Sequence, residues 1–224
     1  TDGTNAGTKQ DIAGAVNIRP TAETGGLGIF YARKDNSAVV PGKDGRIPSP
    51  DDVVIKPTDK DNPTVDEVTG NVTVPDGGEV VVPGVGVIVP PNGSIVKPDG
   101  TIVAPDAGGN TNPGVTVDPA KPGETTGYIS VTYHANGGEG ESYTQMAKVG
   151  ESITLIAVAD RFKKSGFKGT GWNTNDKGLG YPYAARTSTD KSLVLYAQWA
   201  EDKDPTTDPN KYKGTIVLVP NGGN

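Results

Sequence analysis

The chain has no cysteine and only one histidine among its 224 residues. The absence of cysteine excludes thiol nucleophiles, thiolate metal sites and iron–sulfur clusters. The single histidine, His134, would have to serve as the base of any Ser-His-Asp triad. It follows Tyr133 in a segment of alternating apolar and polar residues, so we expect its side chain to point outward from a sheet face. This placement argues against a catalytic role.

Large apolar side chains are also scarce. Hydrophobic residues make up 33% of the chain and aromatic residues 6%, whereas there are 32 glycines and 19 prolines. A chain of this composition can offset its conformational entropy only locally. No apolar run approaches the ~20 residues of a membrane-spanning helix, so we expect no membrane insertion by this segment. The composition favours a small compact module joined to extended, turn-rich backbone.

Charge of one sign is not concentrated anywhere in the chain. The net charge is -6, and the densest basic run (Arg161, Lys163, Lys164 and Lys168) is predicted to be the solvated face of a loop. Nucleic acid is therefore not an expected partner, because phosphate binding needs a basic face. The carboxylates fall mostly in turns, and no phosphate-binding glycine motif is present. We predict that the protein is not an enzyme and has no cofactor.

A repetitive segment, which we call the array, runs from residue 39 to residue 107. It alternates short valine and isoleucine runs with Pro-Asp-Gly, Pro-Asn-Gly or Pro-Gly turns, in which asparagine, aspartate and glycine tolerate positive φ. Its prolines recur every seven or eight residues, at positions 75, 83, 90, 98 and 105. The pattern predicts either an ordered array of very short strands, as a β-solenoid-like stack or a ladder of small hairpins, or an extended, proline-rich linker.

The rest of the chain divides by composition. We predict an N-terminal segment at 1–38, a linker at 108–126, a small domain at 127–200, and a second linker with the start of another array at 201–224. The final prediction rests on an internal repeat, since VPNGG at 219–223 parallels VPDGG at 74–78. Repetition on this scale is typical of a string of similar modules.

The small domain carries motifs that resemble a known family. VTYHANGG at 131–138, SGFKGTGWNT at 165–174 and LVLYAQW at 193–199 occur in the order seen in Listeria–Bacteroides repeats, which are β-grasp-like modules related to internalin B-repeats. The resemblance covers residues 128–200, and the remainder resembles no family. It implies a non-catalytic spacer or adhesion-related module of secreted or wall-attached bacterial proteins.

Two groups of acidic residues have a spacing that could hold calcium through carboxylate oxygens. They lack the glycine and the distal glutamate of an EF-hand loop, and the alternative interpretation is a solvated acidic linker. The residues are Asp59, Asp61 and Asp66 in the first group and Asp202, Asp204 and Asp208 in the second.

Three aromatic residues suggest a ligand-contact surface. Trp172, Tyr181 and Tyr183 are close in sequence, and exposed aromatic rings can stack on sugars. The alternative is that Trp172 anchors the core of the small domain, as the corresponding tryptophan does in the family that it resembles.

These observations together predict a mostly β, extracellular protein of the bacterial cell surface or secretions. The first hypothesis is a structural spacer, stalk or filament segment that presents an adhesin or an enzyme away from the cell, with other surface modules or copies of itself as partners. The alternative is a glycan- or host-protein-binding accessory module of a surface adhesin or a secreted glycoside hydrolase.

Overall fold

The structure is a computed structural model that describes residues 31–32, 35–42, 49–66 and 68–202. This part of the chain contains seventeen strands and one helical turn, α1 (Val158–Arg161), together with a 3-10 turn at Pro122–Glu124. The strands are β1 (Tyr31–Ala32), β2 (Ala38–Val40), β3 (Val53–Ile55), β4 (Thr64–Val65), β5 (Val72–Thr73), β6 (Val80–Val82), β7 (Gly86–Val89), β8 (Ile95–Val96), β9 (Ile102–Ala104), β10 (Val115–Val117), β11 (Tyr128–His134), β12 (Tyr143–Lys148), β13 (Ile153–Thr154), β14 (Phe167–Asn173), β15 (Pro182–Tyr183), β16 (Ser188–Thr189) and β17 (Leu193–Glu201). The prediction of a mostly β fold is confirmed.

The strands form three sheets. A ten-stranded sheet has the order β1-β2-β3-β6-β7-β12-β11-β17-β14-β15, a five-stranded sheet has the order β10-β9-β8-β5-β4, and β13 pairs with β16. No helix in the described ranges is long and apolar enough to cross a membrane.

The array folds as two layers, with some of its strands in the ten-stranded sheet and the others in the five-stranded sheet. Its core joins side chains from both sheets, such as Ile55 and Ile88 from the first and Val72 and Ile102 from the second. Short strands joined by tight turns are therefore present in the array, as predicted, and they pair as hairpins within two layers and do not form an extended linker. The tight turns, with glycines at positive φ such as Gly84 and Gly100, reverse the chain, so that β6 pairs antiparallel with β7 and β8 pairs antiparallel with β9.

The segment predicted as a linker at 108–126 also contributes to this core. Within it, β10 pairs antiparallel with β9, with Val115 opposite Ala104 and Val117 opposite Ile102. Val117 is buried. One Val-Thr-Val triplet is thus enough to close the edge of a small sheet, although the residues around it are almost all polar.

The small domain, which we call the module, spans β11 to β17. Its first and last long strands, β11 and β17, run parallel in the middle of the order β12-β11-β17-β14-β15, and α1 contacts β14. This is a β-grasp-like arrangement, as the resemblance implies, and it includes the short helical turn α1. The module core contains Trp172, Tyr133, Phe162 and Leu195.

The array and the module share one sheet. Strand β7 of the array pairs parallel with β12 of the module, and Val87, Ile88 and Val89 lie opposite Tyr143, Thr144 and Gln145. Pairing therefore crosses two of the predicted segment boundaries. The division of the chain otherwise stays a prediction, and the second array at 203–224 lies outside the described residues.

Candidate functional site: the joint between the array and the module

The backbones of β7 and β12 pair directly where the two regions meet, and we call this contact the joint. The amide of Val87 donates to the carbonyl oxygen of Ser142 at 2.7 Å. Gly86 precedes this bond with φ +126°, and a Cβ at this position would overlap the same oxygen of Ser142. Only glycine combines this φ with this close approach. The pairing of the two regions therefore depends on one residue type at position 86.

An ion-pair network crosses the joint beside these strands. Glu79, at the start of β6, pairs with Lys56 at 3.2 Å and with Arg161 of α1. The guanidinium of Arg161 lies 4.2 Å from the centre of the Tyr143 ring. The side chain of Glu79 is only 16% exposed, so solvent screens these contacts less than it screens surface pairs.

Two opposing effects set the pKa of Glu79. Burial raises it, but the hydrogen bond and positive charge of Arg161, with those of Lys56, outweigh burial and bring the pKa below its ordinary value. The carboxylate is therefore held in its charged form between two cations. Arg161 is exposed, as predicted for its basic run, but it also pairs with Glu79, which lies 82 residues earlier in the sequence.

Side chains of the module also enter the core of the array. Tyr128 and Met146 belong to the array's buried cluster, and the Tyr128 hydroxyl donates to the carbonyl oxygen of Pro105 at 2.5 Å. Burial, followed by the nearby charges of Asp106 and Glu151, raises the pKa of Tyr128. The hydroxyl therefore stays protonated at neutral pH and remains a hydrogen-bond donor.

His134 lies beside the joint, on the sheet face opposite Tyr133, in a groove of about 390 Å³. Its Nδ1 is 2.9 Å from the hydroxyl of Ser142, and its ring stacks on Tyr196 at 5.2 Å. Burial lowers its pKa. In a catalytic triad a carboxylate orients the imidazole, whereas here a serine hydroxyl occupies that position. The serine–histidine pair therefore lies on a hydroxyl-rich groove floor, to which Ser130, Thr132 and Thr144 also contribute.

Trp172 lies in the core of the module and not on its surface. It is 1% exposed, packs edge-on against Phe162 at 5.8 Å, and lies 4.8 Å from the ring of Tyr133. Its indole N–H donates to the carbonyl oxygen of Ile156 at 2.7 Å. Of the three predicted contact residues, Trp172 is thus inaccessible to a ligand, and the structure supports its alternative interpretation as a core anchor.

Three features characterise the module: the parallel β11–β17 pair, the Asn-Gly-Gly turn after β11 and the buried tryptophan of β14. Residues 130–198 match the Listeria-Bacteroides repeat domain family. This repeat is a non-catalytic kind of module and is typical of bacterial surface and secreted proteins. No recognised family covers the rest of the chain. No curated protein and no solved structure matches the chain.

The first group of calcium candidates is only partly free for a metal. The carboxylate of Asp66 accepts bonds from the Thr69 hydroxyl at 2.6 Å and from the Val68 amide at 2.9 Å, and the hydroxyl bond is the main cause of its lowered pKa. It therefore caps its own turn. Asp59 and Asp61 are exposed. Within the described ranges no three acidic or histidine side chains form a metal-binding group.

The second group falls mostly outside the described part. Asp202 is described, and its amide donates to the carbonyl oxygen of Gly166 at 2.9 Å. Asp204 and Asp208 lie outside the described residues. Calcium binding stays a prediction for both groups.

Of the other two predicted aromatic residues, Tyr183 lies on the outer strand β15 of the repeat module and Tyr181 lies in the loop just before it. Tyr181 is 70% exposed, and Tyr183 is partly buried, with its ring 5.5 Å from that of Tyr181.

The joint itself was missed by sequence reasoning. The only local signal for it is an isolated Gly86 inside a valine strand, which indicates either a bulge or a close backbone approach.

Proposed function

We propose that this segment is a structural spacer of a bacterial cell-surface or secreted protein, which presents an adhesin or an enzyme away from the cell. The observation that supports it best is the pairing of β7 with β12, which joins the array and the repeat module in one sheet. A spacer has to keep the orientation of what it carries, and two domains on a flexible linker do not.

The dimensions of the sheet suit this role. Ten strands at a spacing of about 4.8 Å give a sheet roughly 43 Å across. Rotation of the module against the array would break the β7–β12 bonds and separate Glu79 from Arg161. The spacer would therefore act as one stiff unit over this distance.

The absence of cysteine makes a direct test simple, because two cysteines can be introduced without competing thiols. We would label the exposed positions of an Asp99→Cys, Lys177→Cys variant with nitroxides and measure their distance distribution by pulsed electron resonance. The first label lies in the array and the second in the repeat module. A stiff spacer predicts one narrow distribution, and a broad or multimodal distribution would refute the proposal.

A pair of glycine variants provides the matched control. Gly86→Ala places a methyl group against the Ser142 carbonyl oxygen, whereas Gly84→Ala places one in open space, and both glycines have positive φ. We expect the distance distribution to broaden in the first variant only. Equal distributions in the two variants would show that the β7–β12 contact does not fix the orientation.

A further inference from the structure

We propose that the surface groove beside Tyr181 binds a neutral carbohydrate. This Tyr181 groove is separate from the joint, and the inference does not depend on the spacer function. It has an open volume of about 670 Å³ and lies between β15, β16 and the start of β17. The residues that carry the inference are Thr174, Tyr181, Tyr183, Thr187, Asp190 and Lys191.

The loop that presents Tyr181 is fixed by a buried amide. The side chain of Asn173 is nearly inaccessible, and its Oδ1 accepts bonds from the amides of Asn175 and Gly180, both at 2.9 Å. Its Nδ2 donates to the carbonyl oxygens of Gly178 and Gly180 at 3.2 and 3.3 Å. One side chain thus makes four bonds to its own loop.

Other bonds close the same loop at its ends. The amide of Thr174 donates to the carbonyl oxygen of Tyr181 at 3.1 Å, and the Thr174 hydroxyl accepts from the amide of Tyr181 at 2.8 Å. The side-chain amide of Asn136, in the turn after β11, donates to the carbonyl oxygen of Asp176 at 2.7 Å. The loop conformation therefore exists before any ligand arrives, which reduces the entropy cost of binding.

This fixed loop holds two large apolar side chains in solvent. Leu179 is 84% exposed and Tyr181 is 70% exposed. Nothing in the loop's own hydrogen bonding needs either side chain. Of the two, Tyr181 lines the groove, and an exposed aromatic ring that a fixed loop holds at a groove is typical of binding sites.

The chemistry of the groove selects the occupant. Its polar lining consists of threonine and serine hydroxyls with one carboxylate and one ammonium group, from Asp190 and Lys191, so its formal charge is zero. A pyranose has an apolar C–H face, which matches the ring of Tyr181, and a rim of hydroxyls, which matches this lining. A polyanion would need a net positive groove.

The groove is also of the right size for a short glycan and too small for a protein. A specific protein interface buries about 800 Å² on each partner. Among the described residues that line the groove, Tyr181 is the one large apolar side chain that is exposed. We therefore assign the groove to one to three sugar rings, with tyrosine stacking supplying most of the affinity.

The test is a titration of the full chain, labelled with ¹⁵N, with four neutral hexasaccharides: cellohexaose, chitohexaose, xylohexaose and mannohexaose. We expect at least one of them to shift amide signals in the ranges 174–183 and 187–193, and Tyr181→Ala to weaken that binding at least tenfold. Val149→Ala is the matched control, since Val149 is 66% exposed and does not line the groove. It should leave the affinity unchanged.

Three results would overturn the inference: no binding of any of the four sugars at millimolar concentration, shifts that fall outside the groove, or equal affinity of Tyr181→Ala and the native chain. Tryptophan fluorescence shows whether each variant is folded, because Trp172 is buried in the core. The inter-nitroxide distance across the joint should not change in Tyr181→Ala, so failure of this inference is distinguishable from failure of the spacer proposal.

Discussion

The array buries valine and isoleucine on strands of two to four residues, whereas the module buries aromatic side chains on strands of up to nine residues. Isolated hairpins as short as those of the array are at best marginally stable in water. The array becomes stable by arranging its strands in two layers that share one core. The module obtains its core from a few large side chains, chiefly Trp172, Tyr133 and Phe162.

This difference makes the array the more dependent partner. Its core includes Tyr128 and Met146, which belong to strands of the module, and its strand β7 would be an open edge without β12. The module core needs less from the array, since its buried side chains all come from the module itself. We expect damage in either region to reach the other through the joint.

The largest effect is expected from Trp172→Ala. Removal of a fully buried indole lowers the free energy of unfolding by about 3–5 kcal/mol, through lost burial and the cavity that remains. Chemical denaturation followed by circular dichroism measures this loss. Tyr181→Ala removes an exposed ring from the same region and should change stability by less than about 0.5 kcal/mol.

Ile102→Ala is the equivalent truncation of a buried side chain in the array. Ile102 is fully buried between the two layers, and we expect a loss of about 2–4 kcal/mol. Because the joint couples the regions, tryptophan fluorescence should report the same shift in midpoint as circular dichroism, although both tryptophans lie in the module. A change seen by circular dichroism alone would show that the array unfolds independently.

The sequence was most informative where side chains alternate over long strands. The motif order correctly predicted the module, and the alternation around residue 134 correctly predicted the opposite placement of Tyr133 and His134. In the array, the turns and apolar pairs predicted strands but not their partners. Strands of two or three residues carry too few side chains to specify which neighbour they pair with.

The charge network allows a smaller test of the joint. Glu79→Gln removes the charge that Arg161 and Lys56 share, and we expect a loss of about 1–2 kcal/mol. The folded-state pKa of Glu79 is lowered, so its contribution is present above the unfolded pKa and is lost as the pH falls through the folded value.

This sign gives a specific pH profile. The stability difference between the native chain and Glu79→Gln should be constant near neutral pH and should shrink below about pH 4.5, when the unfolded glutamate takes up a proton first. Denaturation midpoints measured between pH 3 and pH 7 test this. A difference that grows with acidity would contradict the assigned direction.

The smallest effect concerns His134. Burial lowers its pKa from the ordinary value of 6.5, so the unfolded chain binds a proton more readily than the folded chain. Its neutral form therefore supports the fold above pH 6.5, and this support declines as the pH falls through the lower folded-state pKa. His134→Gln should remove this dependence of the free energy of unfolding on pH. The dependence due to Glu79, which lies at lower pH, should remain.

The joint itself could not be read from the sequence, for a physical reason. Each of its contacts links residues far apart in the chain, as Glu79 and Arg161 show, and neither residue has an unusual local pattern.

Trp172 shows a different limit of prediction from the sequence. Its position beside Tyr181 and Tyr183 is compatible with both a binding surface and a core, and only tertiary packing decides between them.

The most direct test of the central claim, that the array and the repeat module form one unit through β7 and β12, is thermal unfolding of the native chain followed at once by tryptophan fluorescence and far-ultraviolet circular dichroism. Fluorescence reports the module alone, and circular dichroism reports both regions. We predict coincident transitions for the native chain and for Gly84→Ala, and separated transitions for Gly86→Ala. Separate transitions in the native chain would contradict the account.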